Sequence, residues 1–211
     1  MTPFEEIKTL FDIKEDNGFG TKEIALHQAV CEHIPQVLYD YYARLGKIHP
    51  LNHTQDHLLT PDKLKMSKNK DHLIFYVENQ YACVWGIRKE DLTANNPPVY
   101  MSFDENHWQK ETQNLMDFLS AMAHLQAVFA LEFNAEDFLW FHHSEQDLMV
   151  LRSHFKKKPF YFSKWCVGIE FYGNDDTEVI AVFNEEYFTY ACQNQERLLE
   201  IEEFLNAIGK P

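Results

Sequence analysis

The sequence predicts an α+β protein with a mostly antiparallel sheet. Helical periodicities and β-rich runs come in blocks (helices, then strands, a helix, then strands again) rather than in the regular alternation of a parallel sheet. The 211 residues show no repeat of solenoid period and no Pro/Gly/Ser-rich linker between halves, which predicts one domain over residues 1–211. A composition that is 45% hydrophobic and 15% aromatic can offset the entropy of ordering by apolar burial, so the chain reads as globular.

The elements follow in order. Thr2-Pro3-Phe4-Glu5 has capping-box spacing with proline at the first helical position, and Phe4, Ile7, Leu10 and Phe11 line one helical face. Asp16-Asn17-Gly18-Phe19-Gly20 breaks that helix, and a second begins near Thr21, with Ile24, His27, Val30, Cys31 and Ile34 at helical intervals. Pro35 opens a third, striped by Val37, Leu38, Tyr41, Tyr42 and Leu45, with Gly46 expected in a left-handed terminating conformation. Lys47 to Lys70 reads as a polar loop holding three histidines and two prolines.

Leu73–Val77 and Tyr81–Ile87 then predict a hairpin turning at Glu78-Asn79-Gln80. Asn95-Asn96-Pro97-Pro98-Val99-Tyr100 must be extended and suits a sheet edge, where missing donors cost little. The central amphipathic helix starts near Thr112 and carries Leu115, Phe118, Leu119, Met122, Leu125 and Phe129. Residues 134–155 hold a shorter helix with Ser144 and Asp147 at cap spacing. Three strands, 160–172, 178–183 and 187–192, turn at Gly173-Asn174-Asp175-Asp176 and Asn184-Glu185-Glu186. A last helix carries Leu198, Ile201, Leu205 and Ile208, with Gly209 after it.

Charge and composition exclude several classes of function. The formal charge is −14, and residues 160–211 hold ten acids against Lys164, Arg197 and Lys210. That field opposes nucleic acid and anionic membranes and would steer a basic protein inward. The apolar stretch from Leu115 to Phe133 is interrupted by Asp117, Ser120, His124, Gln126 and Glu132, so it is amphipathic rather than membrane-spanning. The N-terminus lacks a basic and apolar leader pattern, which predicts a cytoplasmic protein. Cys31, Cys83, Cys166 and Cys192 are widely spaced within apolar patterns and are expected reduced and buried. The sequon Asn52-His53-Thr54 is without consequence in such a compartment.

Candidate chemistry is sparse. His49, His53 and His57 are spaced as metal ligands on a helix would be, with Asp56 and Asp62 nearby, but Pro50 argues against a helix there. The side chains of His142 and His143 diverge in either regular conformation, and His27 reads as a hydrogen-bonded core or rim residue. A glycine-rich phosphate loop, a nucleophile elbow, the His-Glu-x-x-His pattern and a calcium loop are all absent, so no catalytic residue, metal ligand or cofactor is assigned.

Four blocks in order carry a resemblance. They are Ile34–Gly46, opened by proline and closed by glycine; Leu73–Gln80 followed by Val84-Trp85-Gly86-Ile87; Asn96-Pro97-Pro98-Val99-Tyr100 with Trp108; and Leu115-Met116-Asp117-Phe118-Leu119. Together they resemble the SUKH superfamily, bacterial immunity proteins related to the yeast cell-wall-synthesis regulator. The match covers about residues 25–130, with 131–211 extending the same domain. The Gly46-Lys47 junction departs from it, since many members show a second glycine.

The resemblance implies a non-enzymatic α+β protein that neutralises a toxin, often a nuclease or deaminase, by binding it. Such toxins need basic clefts, so the acidic turns around Asp175, Asp176, Glu178, Glu185 and Glu186 are the expected contact surface, the alternative being ordinary solvated turns. Two other functions remain open: a general interaction or regulatory module, and a metal-dependent enzyme built on the histidine-rich loop.

Overall fold

The computed structural model describes residues 4–135, 141–142, 144–183 and 187–208. It is α+β, with two antiparallel sheets. The chain divides into two compact units: a middle unit, Glu15–Leu119, and a terminal unit, Met1–Lys14 with Ser120–Pro211. No linker composition separates the two units. The second boundary falls within a helix, between Leu119 and Ser120, where no such composition could mark it.

Helix α1 (Glu5–Leu10) belongs to the terminal unit; its expected cap at Thr2 and Pro3 lies outside the described residues. The middle unit begins with α2 (Thr21–Ile24), which continues as a 3-10 turn over Ala25–Ala29. Helix α3 (Gln36–Leu45) starts after Pro35 and buries all five residues of its predicted stripe. Gly46 is not left-handed: its φ is −61°. Glycine is needed there for space, since a Cβ would lie 2.6 Å from the Phe19 ring and 2.7 Å from the Tyr42 carbonyl oxygen.

The predicted loop 47–70 holds more structure than expected. Helix α4 (His49–Asn52) accepts Pro50 in its first turn, where no intrahelical donor is lost. Strands β1 (His57–Leu58) and β2 (Lys65–Met66) both pair with β3 (His72–Val77). The predicted hairpin is β3 and β4 (Val84–Arg88). A register shift between Ile74 and Tyr76 lets two successive rings, Phe75 and Tyr76, pack on Phe118, with centroids 5.3 and 5.7 Å away.

Strand β5 (Val99–Ser102) is internal rather than an edge: the order is β1-β3-β4-β5-β6. Pro97 and Pro98 precede the strand, so no ladder donor is missing. The unpredicted β6 (Gln109–Thr112) covers it. Its sequence Gln-Lys-Glu-Thr has no apolar alternation to announce a strand.

Helix α5 (Leu115–Ala130) crosses the unit boundary. Asn114 caps it by accepting the Asp117 N–H at 2.8 Å, so the start lies beyond Thr112, which closes β6. The terminal unit continues with β7 (Phe133–Asn134), β8 (Phe141–His142) and α6 (Glu145–His154). Ser144 and Asp147 form the predicted capping box of α6.

The predicted strand 160–172 is two strands, β9 (Lys157–Phe162) and β10 (Ile169–Tyr172). A 3-10 turn over Trp165–Val167 separates them, with Cys166, Val167 and Gly168 all at positive φ. Strands β11 (Glu178–Phe183) and β12 (Tyr187–Cys192) have the predicted bounds, and α7 (Gln195–Ile208) is the predicted last helix. The turn 184–186 and Gly209 lie outside the described residues.

The order of the second sheet is β7-β12-β11-β10-β9, with β8 also on β12. Leu148, Leu151 and Phe155 of α6 and its C-terminal cap, with Ile201 and Leu205 of α7, share a core with Ile180, Val182, Phe188 and Tyr190 of that sheet. β9 ends the strand order and alternates exposed and buried residues along Lys-Lys-Pro-Phe-Tyr-Phe. Among the described residues no helix is long and apolar enough to cross a membrane.

Candidate interaction surface

The acidic turn between β10 and β11 is largely neutralised from within. Asp175 is exposed, and its Oδ1 accepts bonds from the Thr177 N–H (2.8 Å) and hydroxyl (2.6 Å), closing the turn. Asp176 accepts from Lys158 Nζ at 3.0 Å, and the same ammonium lies 2.9 Å from Glu6. Burial disfavours the Lys158 charge, but the two carboxylates outweigh it and hold its pKa above the ordinary lysine value.

Glu178 cannot be a contact residue: its side chain is buried. Arg197 grips both of its oxygens, Nη2 donating to Oε1 at 3.1 Å and Nε to Oε2, while the Asn174 N–H donates to Oε1 at 2.7 Å. The carboxylate occupies the first position of β11, where burial requires a cation and three donated hydrogens. Glu185 and Glu186 lie outside the described residues. Of the five predicted surface acids, Asp175 alone is described as exposed, and Asp176 is half-buried.

The exposed anionic face in this unit lies on α7. Its apolar stripe, Leu198, Ile201, Leu205 and Ile208, turns Glu196, Leu199, Glu200 and Glu203 outward. Glu200 accepts from Arg197 Nη1 at 2.7 Å; Glu196 and Glu203 form no ion pair among the described residues. Leu199, 56% exposed, sits among these carboxylates. The helical period that identified the buried stripe also defines this complementary face, so the signal was present in the sequence.

The histidine-rich segment is more ordered than a solvated loop. The rings of His49, His53 and His57 form a column with centroids 5.4 and 5.6 Å apart. Burial, with the charges of His57 and His49, lowers the pKa of His53. Among the described residues no group of three or more His, Cys, Asp or Glu side chains is placed to hold a metal ion. His27 is a buried residue bonded to the Ile24 carbonyl at 2.7 Å, as the sequence predicts. Of His142 only the backbone is described, paired to Tyr187, and His143 lies outside the described residues.

Beside the histidines lies a buried acidic pair. The antiparallel register places His57 opposite Val77, which brings Asp56 and Glu78 together where β1 and β3 meet the hairpin turn. Burial first, and the Glu78 charge second, push the Asp56 carboxyl up to about 7, partly offset by a bond from the Asn79 N–H at 3.3 Å. Glu78 organises the turn: its Oε2 accepts the N–H groups of Gln80 (2.8 Å) and Ala82 (3.0 Å). Among the described residues the Asn79 and Gln80 side chains make no bond to the turn backbone, and Asn79 Oδ1 is buried without a hydrogen-bond partner.

Cys83 and Cys192 are buried, but Cys31 is half-buried and Cys166 is exposed, against the expectation for all four. The sequon asparagine, Asn52, is buried: its amide donates to the Leu45 and Ile48 carbonyls and its oxygen accepts from the Tyr41 hydroxyl. Comparison with known protein families, characterised proteins and solved structures finds no match to this chain.

Proposed function

We propose that this protein is a non-catalytic binding module that covers a basic surface on a protein partner, and that it acts in the cytoplasm as an immunity protein against a toxin domain. The observation that carries this reading is the outward face of α7. There Glu196 and Glu203 have no cation partner among the described residues and Glu200 shares one, around the exposed Leu199. Carboxylates ringing an apolar residue combine electrostatic steering with a desolvated contact. The net charge of −14 extends the steering field beyond the helix. The SUKH resemblance adds the toxin as the class of partner, and a nuclease or deaminase cleft supplies the complementary charge.

The test is co-expression in a bacterial host with a candidate toxin domain taken from a neighbouring gene. Wild-type protein should restore growth, and the Glu196→Lys/Glu200→Lys/Glu203→Lys variant should fail to do so while remaining folded. The association rate should fall at least tenfold and lose its salt dependence, as expected for removal of a steering surface. Growth rescue by the variant equal to that by wild type would remove α7 from the interface. No rescue by wild type would sink the immunity reading itself.

A further inference from the structure

The middle unit carries a cationic cleft that the binding role does not use. It has a volume of about 620 Å³ and is lined by Lys70, Asp71, His72, Arg88, Lys89 and Glu90. A second cavity of about 410 Å³ shares Lys70 and Lys89 and adds an apolar wall that includes Val30, Met66 and Leu92. In a chain of net charge −14, three cations around one cleft run against the overall field.

The local pairing accounts for this convergence. His72 and Arg88 are partners across β3 and β4, while Lys70 and Lys89 flank the ends of those strands. Arg88 lies over the Tyr100 ring at 4.4 Å and reaches Glu90 at only 3.6 Å. Lys70 and Lys89 form no ion pair among the described residues and are exposed. Of the two acids, Asp71 is engaged by the Ser67 hydroxyl (2.7 Å) and by His72 Nδ1 (2.9 Å).

The independent observation is His72 itself. It is 5% exposed, its ring stacks on Trp108 with centroids 4.1 Å apart, and its Nε2 has no hydrogen-bond partner among the described residues. Buried polar atoms are satisfied in the great majority of cases, so an orphaned ring nitrogen on a residue that lines a ligand-sized cleft calls for a partner. Its Nδ1 already meets the Asp71 carboxylate, which leaves Nε2 as the ring's free hydrogen-bonding position.

We infer that this cleft binds a small organic anion, a phosphate monoester or carboxylate held by Lys70, Arg88, Lys89 and His72, with its apolar body lying against Val30, Met66 and Leu92. Lysine supplies a point charge and arginine a forked donor, and both suit phosphate oxygens. The second cavity gives the ligand's organic part a place that inorganic phosphate cannot fill.

The experiment titrates the full chain with inorganic phosphate, phenyl phosphate and benzoate at constant ionic strength, following backbone amide shifts. Saturable shifts are expected at Lys70, His72, Arg88 and Lys89 with either phosphate. Phenyl phosphate should bind about tenfold more tightly than inorganic phosphate and also shift Val30, Met66 and Leu92. Benzoate binding more tightly than phenyl phosphate would assign the site to carboxylates within the same proposal. Lys70→Gln/Lys89→Gln should weaken binding about tenfold or more, while Lys22→Gln/Lys63→Gln, which removes the same charge elsewhere in the unit, should leave it unchanged. Linear, non-saturating shifts, equal affinity for inorganic phosphate and both aromatic anions, or equal loss in the two double variants would overturn the inference.

Discussion

Replacing Asp56 by asparagine should stabilise the protein at and above neutral pH, and its magnitude follows from the geometry. Asp56 is fully buried, faces Glu78 across the end of β1 and β3, and has its pKa raised from 3.8 to about 7. A raised carboxyl pKa means that the fold favours the neutral acid. This contribution is complete below the unfolded value near 4 and is lost as pH rises through the folded value near 7. The difference is about three pKa units, or roughly 4 kcal/mol lost by pH 8, with about 1.5 kcal/mol already lost at pH 5. Asparagine keeps an oxygen for the Asn79 N–H and has no charge to desolvate, so the variant should be more stable than wild type by a few kcal/mol at pH 8 and close to it at pH 4. Hydrogen exchange of the β3 and β4 amides at several pH values isolates this unit from the other. If wild type and variant lose protection in parallel from pH 4 to 8, Asp56 is not the titrating group and the buried-pair argument fails.

Two further substitutions test the packing. Arg197→Ala removes the cation that neutralises buried Glu178 and should cost about 3–5 kcal/mol, read as faster exchange in β11 and β12; adding Glu178→Gln should recover part of it, because the stranded charge is then gone. Gly46→Ala forces a methyl group to within 2.6 Å of the Phe19 ring, so a loss of about 1–3 kcal/mol is expected in chemical denaturation, although the φ of −61° suits any residue. A neutral result would show that Phe19 can move aside.

Elements with a strong period were legible in the sequence. The α3 stripe, the β3–β4 hairpin, the α6 capping box and the bounds of β11 and β12 each rest on local chemistry that tertiary contacts reinforce. What could not be read depends on distant partners. β6 is polar and becomes a strand because β5 offers it a ladder, and Gly46 is constrained by Phe19, 27 positions earlier. Charge counting located the acidic quarter of the chain, but it could not know that Arg197 and Lys158 would claim Glu178 and Asp176. The His72 cleft was invisible for the same reason. Its cations lie in two short stretches, 70–72 and 88–90, that only strand pairing brings together.

β9 has a consequence for how anything can attach to the terminal unit. An outer strand whose backbone donors were free could recruit a visiting peptide as one more rung. Pro159 removes one donor there, and Lys157 and Tyr161 flank it on the exposed side. A visitor approaching that margin meets a gap in the ladder, which discourages sheet extension and self-association through it alike. At this margin, attachment is thereby left to side chains, whose identity can change without rebuilding the framework.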